Sequence, residues 1–308
     1  MKMSRTLIMF AAVLAALAVA PFVVYPVLVM KVLCFALFAC AFNLLLGYTG
    51  LLSFGHAAFL GAAAYTTGHA MTAWGLTPEL GILAGVLAAA ALGAVFGGLA
   101  IRRQGIYFAM VTLALAQMLF FFCLQAPFTG GEDGLQGVPR GKLFGLLSLG
   151  NDLAMYYFTA AVFFGGFWLI YRIVHSPFGQ VLKSIRENEP RALSLGYDVD
   201  RYKLLAFVLS AAIAGLAGAT KTVVLGFATL TDVHWATSGE VVLMTLVGGV
   251  GTVLGPVIGS IVIVTLQNEL ADRVGSWVTV ILGLIFVVNV LAFRRGIVGE
   301  IAARLDRR

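Results

Sequence analysis

The stretch that decides the fold is Ser176–Gly196, SPFGQVLKSIRENEPRALSLG, the longest charged insert in a sequence that is otherwise almost continuously apolar. Ser is a favourable N-cap, and Pro is tolerated at the first position of a helix. Four apolar residues follow at positions i, i+3, i+4 and i+7, which predicts one apolar stripe on a short helix. These residues are Phe178, Val181, Leu182 and Ile185.

A second short helical segment that contains Ala192 is predicted after Glu189. Pro190 is suited to the beginning of this segment, and Gly196 is suited to its end. Arg186 falls outside the first apolar stripe. An amphipathic helix pair between two membrane spans has two interpretations. It is either a docking surface for another protein or an interfacial helix that lies on the lipid headgroups. Periodicity favours neither of them.

The composition identifies the class of protein. Of the 308 residues, 61% are hydrophobic and 11% are charged, whereas soluble domains carry about 25% charged residues. Such a chain cannot present a water-compatible surface as a globule, so it is an integral membrane protein. The net charge of +6 comes from basic residues in the loops between apolar runs, which indicates topology rather than a nucleic-acid partner.

Apolar runs fill the chain, and a membrane span needs about 20 apolar residues. The sequence therefore predicts an all-α polytopic membrane protein of about nine to ten transmembrane segments, some of them broken or re-entrant. Residues 1–308 are expected to form a single transmembrane domain. The predicted spans are residues 6–24, 27–46, 51–73, 80–101, 105–125, 153–174, 202–225, 240–269 and 275–293.

Basic residues predict the orientation. With the N-terminus inside, Arg102 and Arg103 lie inside, as do the basic residues of the insert at 175–201 and the tail at 294–308. Both termini are therefore expected in the cytoplasm. The first apolar run imitates a cleavable signal peptide, but it is expected to be retained as a true span.

The 240–269 run is expected to be broken, since a single crossing would put the arginine-rich tail outside. The prediction is a segment at 240–248, a turn at Gly248–Gly251 and a crossing from about residue 253. Irregular backbone at membrane depth is tolerated only where protein or a water-filled cavity covers it. Two tilted helices joined by a tight turn are the alternative. The four-residue spacing of Gly251 and Gly255 predicts close helix packing.

Glycines, hydroxyls and a histidine interrupt the apolar context from Gly47 to His56. A broken helix that lines a cavity is one interpretation. The other is a loop followed by a helix capped by Ser53, with His56 as an interior residue. Neutral polar side chains elsewhere in the chain are further candidates for lining a translocation route. The pore or broken-helix candidates are Asn43, Gly47, Gly50, Ser53, His56, Gln117, Gly248, Gly251 and Gly255.

Motifs for chemistry are absent from the sequence. There is no phosphate-binding Gly-x-x-x-x-Gly-Lys-Ser/Thr, no His-Glu-x-x-His and no nucleophile elbow. We therefore expect no catalysis by this chain, no metal and no cofactor. A proton-coupled carrier would need a buried carboxylate, and the sequence shows no convincing one; Lys31 is the ionisable residue that lies well within a span. This favours an energy source outside the chain.

Three stretches together with the insert resemble LivM-type permeases, the membrane subunits of ABC importers for branched-chain amino acids. They are GYTGLLSFGHAAF from Gly47, TGGEDGL from Thr129 and GGVGTVLGP from Gly248. The insert also keeps the Glu…Ala…Gly spacing of the importer coupling loop. The resemblance extends from about residue 30 to 295.

The resemblance implies a bacterial inner-membrane complex. Its partners are a second homologous permease subunit, two cytoplasmic ATP-binding subunits and a periplasmic solute-binding protein, in addition to membrane lipid. The insert would sit in a groove on an ATPase, whose closure would move the attached spans. The coupling residues implied are Phe178, Val181, Leu182, Ile185, Arg186, Glu189, Ala192 and Gly196.

The implied substrate is a branched-chain or other aliphatic amino acid. Urea and short amides are carried by related permeases and form the first alternative. An ion-coupled secondary transporter that acts alone is the second alternative.

Overall fold

The computed structural model describes residues 2–145, 147–278, 280–281, 283–285, 287 and 296–305. Helices dominate these residues and are joined by short turns and two small antiparallel strand pairs. The helices are α1 Lys2–Val23, α2 Pro26–Thr49, α3 His56–Thr72, α4 Pro78–Ala100, α5 Ile106–Gln125, α6 Asp152–His175, α7 Pro177–Glu187, α8 Glu189–Ser194, α9 Val199–Leu225, α10 Trp235–Gly248, α11 Gly255–Val274 and α12 Gly296–Leu305.

The predicted all-α polytopic class is confirmed. Within the described ranges, five helices are long and apolar enough to cross a membrane, namely α2, α4, α5, α6 and α9. Two shorter apolar stretches, Phe10–Val23 and Gly255–Ala271, lie in α1 and α11. Ten of the nineteen residues of the predicted span 275–293 are described, in short pieces, and Arg294 and Arg295 of the tail lie outside the described residues.

Helix α2 is the centre of the fold. Its residues from Met30 to Leu45 are buried except for the half-buried Lys31, because α6, α9, α10 and α11 pack around it. A helix that is apolar on every side belongs in a protein interior or in lipid, and α2 occupies the interior. The remaining long helices leave large apolar side chains exposed, among them Leu83, Met110 and Trp168, as a lipid-facing surface requires.

Small residues join α4 to α9, as their four-residue spacing predicts. A Cβ atom at Gly93 would lie 2.5 Å from Cβ of Ala211, and one at Gly85 would lie 3.3 Å from Cβ of Ala219. The absent side chains therefore let the two backbones approach closely, which is how helices associate in lipid.

The predicted span 51–73 is wrong at its beginning. Gly50 ends α2 in the left-handed conformation, with φ of 79°, and α3 begins only at His56. The Ser53-capped alternative is also wrong, because the N-cap position is Gly55 and no side chain caps it within the described residues. Ser53 Oγ instead accepts a hydrogen bond from the Gly55 N–H at 3.2 Å. The chain is thus broken at this point.

The predicted break in the 240–269 run is confirmed. Helix α10 ends at Gly248, and α11 begins at Gly255 and packs back against it. With 14 residues, α10 is about 21 Å long. This is shorter than the roughly 30 Å hydrocarbon core of a bilayer. We call residues 249–254 the α10–α11 turn.

The connections fall at two ends of the molecule. At one end, strand β1 Leu135–Gln136 pairs with β4 Phe227–Ala228, and β2 Lys142–Leu143 pairs with β3 Leu147–Ser148. We call this end, formed by residues 126–151 and 226–234, the loop face. The insert, the end of α2 and the α10–α11 turn meet at the other end, which we call the insert face.

Candidate functional site

Helix α7 begins as predicted but buries its apolar stripe in the chain itself. Ser176 Oγ accepts a hydrogen bond from the Gly179 N–H at 3.3 Å, which makes it the N-cap. Leu182 is 0% exposed and Ile185 is 3% exposed, because α7 packs against α2, α6 and α9. Leu182 and Ile185 are therefore covered by this chain's own helices, and only Phe178 and Val181 of the stripe keep part of their surface exposed.

The other two stripe residues are half-buried. The ring of Phe178 stacks on that of Tyr202, with centroids 5.6 Å apart. Val181 packs against a small cluster formed by Ile185, Ala192 and Val199. The amphipathic pattern of α7 is thus satisfied mainly by contacts to the beginning of α9.

Helix α8 presents the exposed part of the insert. Asn188 caps it by accepting a hydrogen bond from the Arg191 N–H at 3.1 Å. Ala192 faces inward and is buried, whereas Leu193 is 55% exposed and Leu195 is 66% exposed. Gly196 follows in the left-handed conformation with φ of 87°, so it ends the segment as predicted.

Glu189 connects α8 to two other parts of the chain. Its Oε1 lies 2.7 Å from Lys203 Nζ in α9 and accepts a hydrogen bond from Gln104 Nε2 at 3.1 Å. Gln104 belongs to the connection that precedes α5. The predicted coupling residue Glu189 therefore bonds within this chain.

A second polar contact joins the insert to the two broken regions. The Arg186 guanidinium donates a hydrogen bond to the Gly47 carbonyl at the end of α2. Asn43 Oδ1 accepts from the Gly251 N–H at 2.9 Å, and Asn43 Nδ2 donates to the Thr252 carbonyl at 2.9 Å. We call these five residues the junction. It brings together three stretches that are far apart in the sequence.

The glycines of the junction are required by close approach. A Cβ atom at Gly47 would lie 2.7 Å from the Gly251 backbone nitrogen, and Gly251 itself has a φ of 77°. A Cβ at Gly255 would lie 2.5 Å from the Gly249 carbonyl oxygen, and one at Gly248 would clash with the Gly255 carbonyl. L-residues with side chains rarely adopt such a φ, and the backbones leave no room for a Cβ.

A cavity of about 430 Å³ lies beside the junction. Besides Gly47, Arg186 and Gly251, it is lined by Tyr48, Lys183 and Glu187. Lys183 Nζ lies 5.6 Å from the centroid of the Tyr48 ring, which is within the range of a cation–π contact. The side of α7 opposite the buried stripe is therefore polar and faces the end of α2.

His56 is an interior residue and lines no open cavity. It is fully buried, and its Nε2 lies 2.8 Å from Ser210 Oγ. Ser210 Oγ donates its hydrogen to the Ala41 carbonyl, so His56 Nε2 must carry the proton in that contact. Its Nδ1 then has no partner among the described residues. The surrounding rings are those of Phe38, Phe42, Phe59 and Phe207.

Asn43 and Ser53 are also buried, so of the predicted polar pore candidates only Gln117 is half-exposed. It lies on α5 at the four-residue spacing that continues a stripe of Ile106, Met110 and Leu113. These three residues line a cleft of about 480 Å³ together with Gly50, Leu51, Leu52 and Phe54. Gln117 is therefore the polar position on a stripe that is otherwise apolar.

Sequence reasoning missed a buried ion pair. Asp232 is buried at the loop face, where Lys221 Nζ of α9 donates to its Oδ1. Its Oδ2 accepts from the Thr229 N–H at 3.3 Å. The expectation of no convincing buried carboxylate is thus wrong. The Thr229-x-x-Asp232 spacing, a capping-box pattern, was the signal that Asp232 folds back onto the chain.

Comparisons with known proteins found a family and several relatives with similar sequences. The family model described as "Branched-chain amino acid transport system / permease component" matches residues 27–290. The high-affinity branched-chain amino acid transport system permease protein LivM of Escherichia coli K12 is 29% identical over 258 residues, which cover 75% of this chain and 60% of that protein.

More distant relatives are similar over shorter stretches. The probable LivM of Methanocaldococcus jannaschii is 25% identical over 221 residues, or 65% of this chain and 60% of that protein. The ribose import permease protein RbsC of E. coli K12 is 26% identical over 204 residues, or 62% of each chain. The chain thus spans about 60% of the length of the LivM proteins it matches. No solved structure matches significantly.

The family model covers most of the chain, including the two broken regions and the insert. The chain therefore belongs to the family of branched-chain amino acid transport system permease components.

Proposed function

We propose that this chain is a membrane-spanning permease subunit of an ABC importer and that it translocates branched-chain or other aliphatic amino acids. The match of residues 27–290 to the branched-chain amino acid permease family carries this proposal. The similarity to LivM of E. coli supports the same substrate class. In this function the chain is no enzyme, and ATP hydrolysis belongs to its partner chains.

The ATP-binding subunits are proposed to dock on the exposed side of the insert. We call Arg191, Leu193, Leu195 and Tyr197 the α8 surface. All four are exposed, and three of them are large and apolar. Apolar side chains that project from a polar segment at the end of the molecule are typical of an interaction site. The buried stripe of α7 supports α8 from behind.

The second permease subunit is proposed to pack on α5. This helix has the lowest buried share of the five long apolar helices that the structure describes, and its half-exposed stripe carries Gln117. A side-chain amide that faces hydrocarbon without a partner is unfavourable. A neighbouring subunit that covers this stripe would enclose the 480 Å³ cleft at residues 50–54 and Leu113 as part of the route.

The periplasmic solute-binding protein is proposed to dock on the loop face. Glu132, Asp133 and Gln136 are exposed there. The pairing of β1 with β4 and the ion pair between Arg140 and Asp152, 2.6 Å apart, hold this face in shape. Exposed carboxylates on an ordered loop suit a partner with basic side chains.

Residues 1–308 are proposed to act as one transmembrane permease domain in the bacterial inner membrane. The insert 175–201, the tail 294–308 and the N-terminus are placed in the cytoplasm. Two observations support this. The basic residues of the insert lie at the face opposite to Arg140 and Lys142, and Gly296 packs against the backbone of Gly249 at the insert face. Lys and Arg concentrate in cytoplasmic loops.

Reconstitution in liposomes tests the proposed function. The chain is combined with its second permease, two ATPases and the solute-binding protein, and uptake of labelled leucine, urea, acetamide and ribose is measured with and without ATP. We expect ATP-dependent accumulation of leucine. Accumulation of urea or acetamide alone would support the amide alternative instead. Accumulation by the solitary chain, driven by a proton or sodium gradient, would overturn the proposal.

A further inference from the structure

The junction connects three elements by directional bonds. Arg186 of α7 bonds the end of α2 at the Gly47 carbonyl. Asn43 of α2 bonds both Gly251 and Thr252 of the α10–α11 turn. The carbon that a side chain at Gly251 would add lies 3.2 Å from a terminal guanidinium nitrogen of Arg186, so the guanidinium lies against both broken regions at once.

Apolar packing and the Arg186 bond differ in what they can transmit. The buried Leu182 and Ile185 hold α7 in place by nondirectional contacts, which tolerate a small sliding movement. A guanidinium bonded to a backbone carbonyl keeps its partner at a set distance and angle. When α7 is displaced, the Gly47 carbonyl is therefore expected to move in the same direction.

The α10–α11 turn contains glycines, whose φ angles can change without a steric clash. Gly249 and Gly251 have φ values of 121° and 77°, and glycine crosses between such conformations without a Cβ clash. Residues at the ends of helices absorb the φ/ψ changes of hinge movements. Asn43 attaches to the Gly251–Thr252 part of this turn, and α10 is a short helix of 14 residues. The side chain of Asn43 thus attaches α2 to this glycine-containing turn.

We propose that Arg186 is the positioning residue that passes movement of the insert to the α10–α11 turn. Asn43 and Gly47 complete the link, so that displacement of α8 shifts α7, the end of α2 and the turn together. This changes the opening at the insert face. The inference rests on the proposed function only in assuming that partner ATPases move α8.

The first test is a coupling measurement in the reconstituted complex. Arg186→Gln removes the charge and the fork of donors, Arg186→Lys keeps one charged donor, and Arg103→Gln is the control. Arg103 is exposed near the same face, and its side chain has no partner among the residues described. The ATP hydrolysed per leucine accumulated is measured for each variant.

Free-energy coupling between sites commonly amounts to a factor of about 5–150. We expect Arg186→Gln to raise the ATP-to-leucine ratio roughly tenfold, while assembly and ATP hydrolysis persist. Arg186→Lys should restore part of the coupling, and Arg103→Gln should leave the ratio unchanged. A ratio for Arg186→Gln within about twofold of the parent would overturn the proposal.

A second test measures whether α7 and the α10–α11 turn move together, and it needs no transported substrate. Spin labels are placed at Gln180→Cys in α7 and Val250→Cys in the turn, and their distance is measured in the complex with and without ATP plus vanadate. In the parent the distance should stay constant because both sites move together. With Arg186→Gln it should change on nucleotide binding or become broadly distributed. An identical response in both proteins contradicts the link.

The two tests separate the failure of this inference from the failure of the proposed function. If the parent complex binds ATP but transports no amino acid, the proposed substrate is wrong, and the label distances still test the link. If the parent transports leucine and the Arg186 variants behave like the parent, the link is wrong and the proposed function stands.

Discussion

The ammonium group of Lys203 lies 2.7 Å from the carboxylate of Glu189, and the Lys203 side chain is 3% exposed. This ion pair connects the beginning of α9 to the beginning of α8. Glu189, which the family resemblance implies for coupling to an ATPase, thus has its charge partner within this chain. The contact of Glu189 with Gln104 extends the connection towards α5.

Glu189→Gln should destabilise the chain, because the charge of Lys203 is then buried without a countercharge. The expected loss lies at the low end of about 3–5 kcal/mol, since Glu189 is partly exposed. The double variant Glu189→Gln/Lys203→Met should recover most of it. The measurement is thermal unfolding of each variant in detergent. Equal stability of the parent and Glu189→Gln would show that the pair contributes little.

Leu193→Asp should impair the coupling of ATP hydrolysis to uptake, whereas Leu182→Asp should impair folding. Leu193 is exposed on the α8 surface, so its substitution should leave folding intact and uncouple ATP hydrolysis from uptake. Leu182 is fully buried, so a carboxylate there costs several kcal/mol and should reduce the yield of folded protein. Gln180→Asp, on the exposed side of α7, is the control for added charge.

Size-exclusion profiles and coupled uptake distinguish these results. The docking surface is misplaced if Leu193→Asp transports normally. The interior position of α7 is wrong if Leu182→Asp folds as well as Gln180→Asp does.

Gly47→Ala should destabilise the junction. The added Cβ would lie 2.7 Å from the Gly251 nitrogen, so the α10–α11 turn has to move. Overpacking of this kind costs about 1–3 kcal/mol. Gly98→Ala is the matched control, since apart from its own turn of α4 no atom of the described residues lies within 4 Å of its added carbon, and alanine favours a helix by up to about 1 kcal/mol. Unfolding temperatures that fall equally for both would contradict the close approach at Gly47.

Asp232→Asn should lower stability without making transport depend on a proton gradient. The substitution leaves the Lys221 charge buried at the loop face, and removal of one partner of such a pair is strongly destabilising. Lys221→Met/Asp232→Leu should recover stability because it removes both charges. Glu132→Gln, at an exposed position of the same face, is the control for the unfolding measurement. Unfolding and ATP-driven uptake are measured.

A proton-carrying role for Asp232 would produce a different pattern. Unchanged stability of Asp232→Asn together with a loss of uptake driven by a pH gradient would favour the ion-coupled carrier.

Reporter fusions test the orientation. Alkaline phosphatase fused after Arg308 should be inactive, because Gly296 packs at the insert face beside Gly249 and this face is proposed to be cytoplasmic. The same enzyme inserted at Gly145, in the turn between β2 and β3, should be active in the periplasm. The reverse activities would invert the proposed topology and with it the side on which ATPases dock.

Much of the fold was predictable because its signals are local. Apolar runs of sufficient length predicted the membrane spans, and Ser176, Asn188 and Gly196 occupy positions where caps and a left-handed residue end helices. The break at Gly248 followed from charge and glycine patterns. The beginning of α3 was misplaced since hydropathy alone cannot separate a non-helical apolar stretch at 51–55 from a helix.

The candidate site was predicted as a set of residues but not as an arrangement. Periodicity correctly put Leu182 and Ile185 on one face of α7. A periodic pattern does not show which element covers that face. Here other helices of the same chain cover it. Asn43 was assigned to a pore because it is polar and within a span. The hydrogen bonds that it makes to the α10–α11 turn depend on a backbone that lies 208 residues away.

By itself, the sequence determined that this is a helical membrane protein, where α7 begins, where α8 ends, and that the 240–269 run is broken. Hydrophobicity, caps and glycine conformations act over a few residues, so one chain suffices to read them. Only the tertiary structure decided that Arg186 bonds Gly47 across 139 residues, that Lys221 pairs with Asp232, and that α8 rather than α7 presents the free surface. These depend on which helices pack together, and packing is decided by all of the side chains at once.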